Sequence, residues 1–210
     1  MADILLDTQS APATPSAGQG LAWFDSSSKG WLQKNDAGQI QGDSMRAAVA
    51  QQTGFAADTY LVNSGLLIPS SSMIQGMVWE WKLVATKTAA GIATPIFTLR
   101  VGANQSTADA SRLAITTAAQ TAAADTAMIT LIATCRSVAV NGVIQGLVEI
   151  RHNLAATGFA NTPAGFNLVE GTSAGFDNTN LGGQFVGLSI NGGTSAAWTI
   201  NQVVGRMYLG

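Results

Sequence analysis

The sequence predicts a mainly β protein: an antiparallel β-sandwich preceded by an extended N-terminal arm and one short helix. Two observations carry that expectation. From Thr59 onward apolar residues recur with a period of two, in runs separated by Gly, Asn, Asp and Ser. That is the signature of half-buried antiparallel strands. The second observation is charge: only 10% of the 210 residues are charged, against roughly 25% in ordinary soluble domains. Ala, Gly, Thr, Ser, Asn and Gln stand in their place, and such a surface suits burial against copies of itself or a neighbour.

The arm comes first. Residues 1–42 contain SAPATPSAGQG (10–20), whose composition is that of a flexible segment, ordered only when something ties it down. We therefore expect it to dock on another chain. Trp23 and Phe24 precede DSSSKG, and Trp31 and Leu32 follow it, so Asp, Ser and Gly punctuate a small hairpin between aromatic runs. Trp23, Phe24 and Trp31 are the candidate anchoring residues. A base- or sugar-stacking platform is the alternative, but only Lys29 and Lys34 are interleaved with the rings, and a mini-cluster holding the hairpin is the better reading. A second polar break, NDAG, follows at 35–38.

Residues 43–58 read as a linker carrying the helix. Asp43 or Ser44 caps DSMRAAVAQQTG, Met45 to Gln52 holds no breaker, and Gly54 suits the left-handed position after the last turn. Two turns are marginal alone.

Residues 59–210 form the sandwich. Met77, Trp79, Trp81 and Leu83 share one face of a strand, with Glu80 and Lys82 opposite; Phe97, Leu99 and Val101 alternate with Thr98 and Arg100. Further strands are expected in 59–68, 111–116, 127–140, 143–154, 165–170, 184–190 and 197–209. The Ala-rich stretch 107–127 favours helix by propensity, but its threonines and the Leu113/Ile115 alternation favour a strand followed by a loop.

Two hairpins are expected in detail. Asn141-Gly142 is the favoured two-residue turn. It sets Val140 opposite Val143, Cys135 opposite Val148, Ala133 opposite Ile150 and Leu131 opposite His152, with Arg136 in reach of Glu149. Near the end, Asn191-Gly192-Gly193 reads as the turn of a closing hairpin. Val186, Leu188 and Ile190 share a face of its first strand, and Trp198, Ile200, Val204 and Tyr208 a face of its second. Val203, Met207 and Leu209 make the opposite face apolar too, which belongs inside a sandwich or between subunits.

Little in the chain suggests catalysis. His152, the sole histidine, falls on the core-facing side of its strand, and Cys135 is a lone, core-type cysteine, so no intrachain disulfide forms. Asp109, Asp125, Glu149, Glu170 and Asp177 are scattered singly rather than paired for glycoside hydrolysis. GTSAG (171–175) has the letters of a nucleophile elbow without its strand-to-helix context. Neither a metal nor a cofactor motif is present, so no cofactor is expected and an enzyme is not. A net charge of −2 without a Lys/Arg cluster gives no footprint for nucleic acid. No apolar run approaches the ~20 residues of a membrane helix, and MADILLDTQS lacks the basic start of a signal peptide. A cytosolic product is expected, in which the sequon Asn104-Gln105-Ser106 is meaningless. Phe159 and Phe176, in loops, are candidate ligand-binding aromatics if exposed, and otherwise core residues. Gly146, Gly187 and Gly205 lie in strands, where they admit the close approach of another backbone or mark bulges.

Several phrases, in order, resemble virion structural proteins of tailed bacteriophages: TKTAAGIATP (86–95), QTAAADTA (120–127), CRSVAVNGVIQG (135–146), HNLAATGFA (152–160), TSAGFDNT (172–179) and GLSINGGTSAAWT (187–199). The resemblance covers roughly 55–210, and TPSAGQGLAWFDSSSKGWLQKNDAGQI is similar to the N-terminal attachment segments of phage fibres and spikes. It implies a jelly-roll-like sandwich, a homotrimer projecting from a phage particle after synthesis in the host cytoplasm, and a partner among the capsid, neck or tail proteins. The alternative expectation is a module that binds a host surface glycan or receptor through the sandwich's outer loops, since loops on a rigid sandwich are natural binding surfaces.

Overall fold

The structure is a computed structural model, and it describes residues 8–9, 12–17, 19–25, 31–34, 40–41, 44–48, 50–68, 73–154, 156–161, 165–193 and 195–208. Among the described residues the arm holds four short strands. β1 (Thr8–Gln9), β2 (Leu21–Asp25), β3 (Trp31–Lys34) and β4 (Ile40–Gln41) pair in that order, β1 parallel to β2 and the rest antiparallel. The expected aromatic hairpin is present, with Trp23 opposite Leu32 and Phe24 opposite Trp31. The NDAG break at 35–38 lies outside the described residues.

The segment expected as a helix is instead two strands, β5 (Ser44–Ala48) and β6 (Gln52–Thr53). Both pair antiparallel with β16 (Trp198–Tyr208), from Met207 opposite Ser44 to Thr199 opposite Thr53. The correction has a simple physical basis. Two helical turns gain little by themselves, whereas an unpaired edge of β16 offers a row of backbone donors and acceptors to any chain laid along it. Tertiary pairing overrides local propensity here.

The remaining strands are β7 (Thr59–Tyr60), β8 (Leu66–Leu67), β9 (Val78–Lys87), β10 (Ile96–Gly102), β11 (Ala110–Thr116), β12 (Asp125–Ser137), β13 (Val143–His152), β14 (Phe166–Thr172) and β15 (Phe185–Asn191). They form two antiparallel sheets packed face to face. One runs β11-β10-β15-β7, with β8 also on β15; the other runs β14-β13-β12-β9-β16-β5, with β6 also on β16. The β-sandwich expected from the alternation is the fold. β12, β13 and β14 follow one another as a meander, while the connections after β9, β11, β14 and β15 cross between sheets.

Alternation fills the space between the sheets. Trp79, Trp81, Leu83 and Ala85 of β9, with Ile129, Leu131, Val148 and Ile150, meet Phe97, Leu99, Val186, Leu188 and Ile190 in one buried cluster. Burying each large side chain contributes about 1.5–3 kcal/mol. The Ala-rich stretch resolves as β11 followed by a loop to Asp125, as expected.

Three details differ from expectation. Cys135 pairs with Ile144 rather than Val148, and Leu131 with Val148 rather than His152, a shift of four residues (148 − 144). An even shift keeps every side chain on its face, so the core side was right and the register was not. The cause is a longer turn: β12 bulges between Cys135 and Ser137, and Asn178 clamps the loop. The Asn178 amide donates to the Ser137 carbonyl at 2.9 Å, and its Oδ1 accepts the Ala139 N–H at 2.9 Å. Arg136 consequently donates to Gln145 at 2.7 Å, and Glu149 pairs with Arg151 instead.

The closing hairpin is not one. β15 and β16 lie in different sheets, so Asn191-Gly192-Gly193 carries the chain across the sandwich. Both edges of each strand are already taken, β15 by β10 and β7/β8, β16 by β9 and β5/β6. Gly193 adopts φ 106°, and the Gly192 N–H donates to the Phe55 carbonyl at 2.8 Å. Finally, a bulge between Ile200 and Gln202 switches the inward face of β16. Trp198, Ile200, Val203 and Met207 are buried, while Tyr208 is exposed.

Candidate functional site

The aromatic candidates from the sequence are mostly packing residues. Phe159 is fully buried, its ring meeting Trp198 edge-on at 4.8 Å between centroids. Phe176 is buried beneath the Arg112 guanidinium, 4.6 Å from the ring centre. Neither presents a face to a ligand, so the loop-binding expectation fails for both. Trp23 is also covered within the chain, while Phe24 and Trp31 are backbone partners across the arm hairpin. The three strand glycines are occupied as well. A side chain at Gly146 would meet Leu113, one at Gly187 the Tyr60 phenol, and one at Gly205 the Trp81 indole. These absences of Cβ make room for the chain's own residues rather than for a second backbone.

The sole histidine belongs to a buried polar latch. His152 Nδ1 lies 2.9 Å from Asp125 Oδ2, and both side chains are wholly enclosed. Asp125 also accepts the N–H groups of Thr126 and Phe159 at 2.8 and 3.2 Å. Register places Lys87 between Asp125 and Trp198. Its Nζ donates to the carbonyls of Thr121 and Ala123, both at 2.8 Å. Burial pulls the Lys87 pKa below its ordinary value, and the nearby Asp125 charge acts in the opposite direction. Gln120 accepts the Trp198 indole N–H at 2.7 Å and donates to the carbonyls of Ala93 and Gly192. These bonds tie the loop before β12 to the ends of β9, β13 and β16. A carboxylate that orients an imidazole is half of a catalytic device, but this one is sealed from solvent. It holds loops together. Ser173 of the GTSAG motif is likewise buried, accepting the Ile144 N–H at 2.9 Å.

One feature open to solvent is a groove of about 460 Å³ at one end of the smaller sheet, lined by Asp58, Thr59, Tyr60, Val62, Asn63, Gln105, Ser106 and Thr107. Its size falls in the range of about 300–1,000 Å³ typical of small-ligand sites. Two segments make its walls. The first, 58–63, is pinned from below: the Leu61 N–H donates to Leu188 O at 2.8 Å, and Ser64 Oγ accepts the Leu188 N–H at 2.9 Å. Gln52 spans the same segment, donating to Tyr60 O at 2.8 Å and accepting the Val62 N–H at 2.9 Å. The second wall is the turn between β10 and β11, wound around the Asp109 carboxylate. That carboxylate accepts the Asn104 N–H at 2.9 Å and the Ser106 N–H at 3.4 Å.

Arg100 joins the walls. Its guanidinium donates to Ser189 Oγ at 2.7 Å and to the carbonyls of Thr107 and Asp109 at 2.9 and 2.6 Å, and it pairs with the Asp58 carboxylate. Each of the three nitrogens of the planar fork is thus engaged, the geometry for which arginine is suited. Sequence reasoning passed over this site. Its one local signal was NQST at 104–107, noticed only as a sequon; the rest converges from three distant segments. The chain matches no known protein-family model, and none of the curated proteins is similar to it.

Proposed function

We propose that the protein is a non-enzymatic structural component of a tailed-bacteriophage particle, a capsid decoration, head-fibre or tail-fibre protein. It docks through residues 1–42 onto other virion proteins and displays a jelly-roll-like sandwich, as a homotrimer. The observation that carries this reading is the division of the chain. Among the described residues β1 to β4 pair with one another and with no strand of the sandwich, which begins with β5 at Ser44. An anchor with its own hydrogen bonding can be removed or engaged without unzipping the display domain. The low charge and the phage-like phrases agree with it. Electron microscopy of intact particles carrying an epitope-labelled copy tests the proposal. Label at regular positions on the head, neck or tail supports it; particles that never carry label refute it.

The second reading, a receptor- or glycan-binding module of the same particle, is favoured by the groove. It is preformed, polar and carried on a rigid sandwich, where binding loops are commonly placed.

A further inference from the structure

We infer that the groove between residues 58–63 and 105–107 is a binding site for a neutral saccharide. The inference deepens the second reading above and rests on it.

Charge selects the ligand class first. Arg100 and Asp58 are spent on each other, the remaining Arg100 nitrogens are committed to Ser189, Thr107 and Asp109 O, and the buried Asp109 carboxylate is engaged by the Asn104 and Ser106 N–H groups. An anion such as a phosphate or a sialate carboxylate therefore finds no uncommitted cation among the lining residues. What lines the groove is amide, hydroxyl and phenol: Asn63, Gln105, Ser106, Thr59 and Tyr60, with Val62 more than half exposed at 58%. Planar amides offer a donor and an acceptor side by side, matching vicinal hydroxyls. An exposed valine offers a surface for the C–H face of a sugar ring.

Backbone conformation is the second argument. Asn63 and Gln105 adopt φ of 63° and 50°, two of the three non-glycine residues among those described with positive φ. They stand on opposite walls of one groove. Glycine takes that conformation without steric cost and asparagine tolerates it, so Gln105 is the side chain kept where the backbone disfavours it. Such positions cluster at ligand clamps. Both walls are also fixed in advance, by Gln52 and Ser64 on one side and Asp109 on the other, which limits the ordering lost on binding.

The same conformation supplies the test. Asn63→Gly with Gln105→Gly removes both amides while suiting the backbone, so the double variant should fold with undiminished stability. Amide chemical shifts of the full chain would be followed while titrating glucose, galactose, N-acetylglucosamine, N-acetylgalactosamine and their β-linked disaccharides. Sialic acid and inorganic phosphate serve as anionic controls. Saturable shifts confined to residues 59–63 and 104–107 with a neutral sugar, weakened at least tenfold in the double variant, would support the assignment. Wild-type affinity in the double variant, or preference for the anions, would overturn it. Saccharide shifts mapping elsewhere would overturn the groove and spare the second reading; no response to any saccharide would overturn the saccharide assignment and leave the second reading only its receptor form. Arm-dependent docking stands apart from all these outcomes.

Discussion

Burial sets the chemistry of single residues in this fold. Cys135 lies wholly inside the sandwich, and its desolvation pushes the thiol up to about 11 from 9.0. The folded chain holds that proton more tightly than the unfolded chain does. Stability is therefore flat below pH 9 and falls as pH rises between 9.0 and about 11, by roughly 2–3 kcal/mol in all. Comparing urea unfolding of the wild type with Cys135→Ala from pH 8 to 11 isolates this term: the difference should grow in favour of the variant as pH rises. Lys87 is the polar counterpart. Lys87→Met leaves the Thr121 and Ala123 carbonyls without their donor and should cost about 2–4 kcal/mol, read from the same unfolding curves. Cys135 stands out in the sequence as the lone cysteine, whereas nothing in the sequence distinguishes Lys87. The partners that define them were not visible there, because Lys87 and Thr121 meet only once β9 and β12 are paired.

At the level of elements, what was legible was whatever period two can carry. β9 and β10 place Trp79, Trp81, Phe97 and Leu99 inward as the alternation required, since facing is a local property of the strand. Register is not local. The β12–β13 turn is set by Asn178, 39 residues beyond Ala139, and a two-residue Asn-Gly turn loses to that clamp. Asn178→Ala should therefore cost about 2–3 kcal/mol through two lost, partly buried bonds. It should also raise hydrogen exchange at residues 138–142 while leaving β9 unchanged. The inward face of β16 was misread for a similar reason, because the bulge after Ile200 has no signature in the alternation itself. β16 nonetheless proves central, lying between β9 and β5 with Trp198, Ile200, Val203 and Met207 buried. Ending the chain before Trp198 should abolish cooperative unfolding and leave insoluble or molten protein. A soluble truncated chain with native-like near-UV dichroism would contradict that role.

At the scale of the molecule, two self-paired units share one weakly charged chain. Among the described residues the arm strands pair with one another before the sandwich begins, a pattern under which the proposed anchoring and display would be separable. The groove sits on the sandwich, between its 58–63 segment and the β10–β11 turn. On the proposed reading, recognition and docking would fall on different units, and each could fail without the other. The most direct measurement compares the full chain with residues 43–210 for thermal unfolding and for incorporation into purified particles. The account predicts that the shortened chain unfolds cooperatively within a few degrees of the full chain's midpoint yet is lost from the particles. Undiminished incorporation, or a sandwich that no longer folds once the arm is gone, would contradict it.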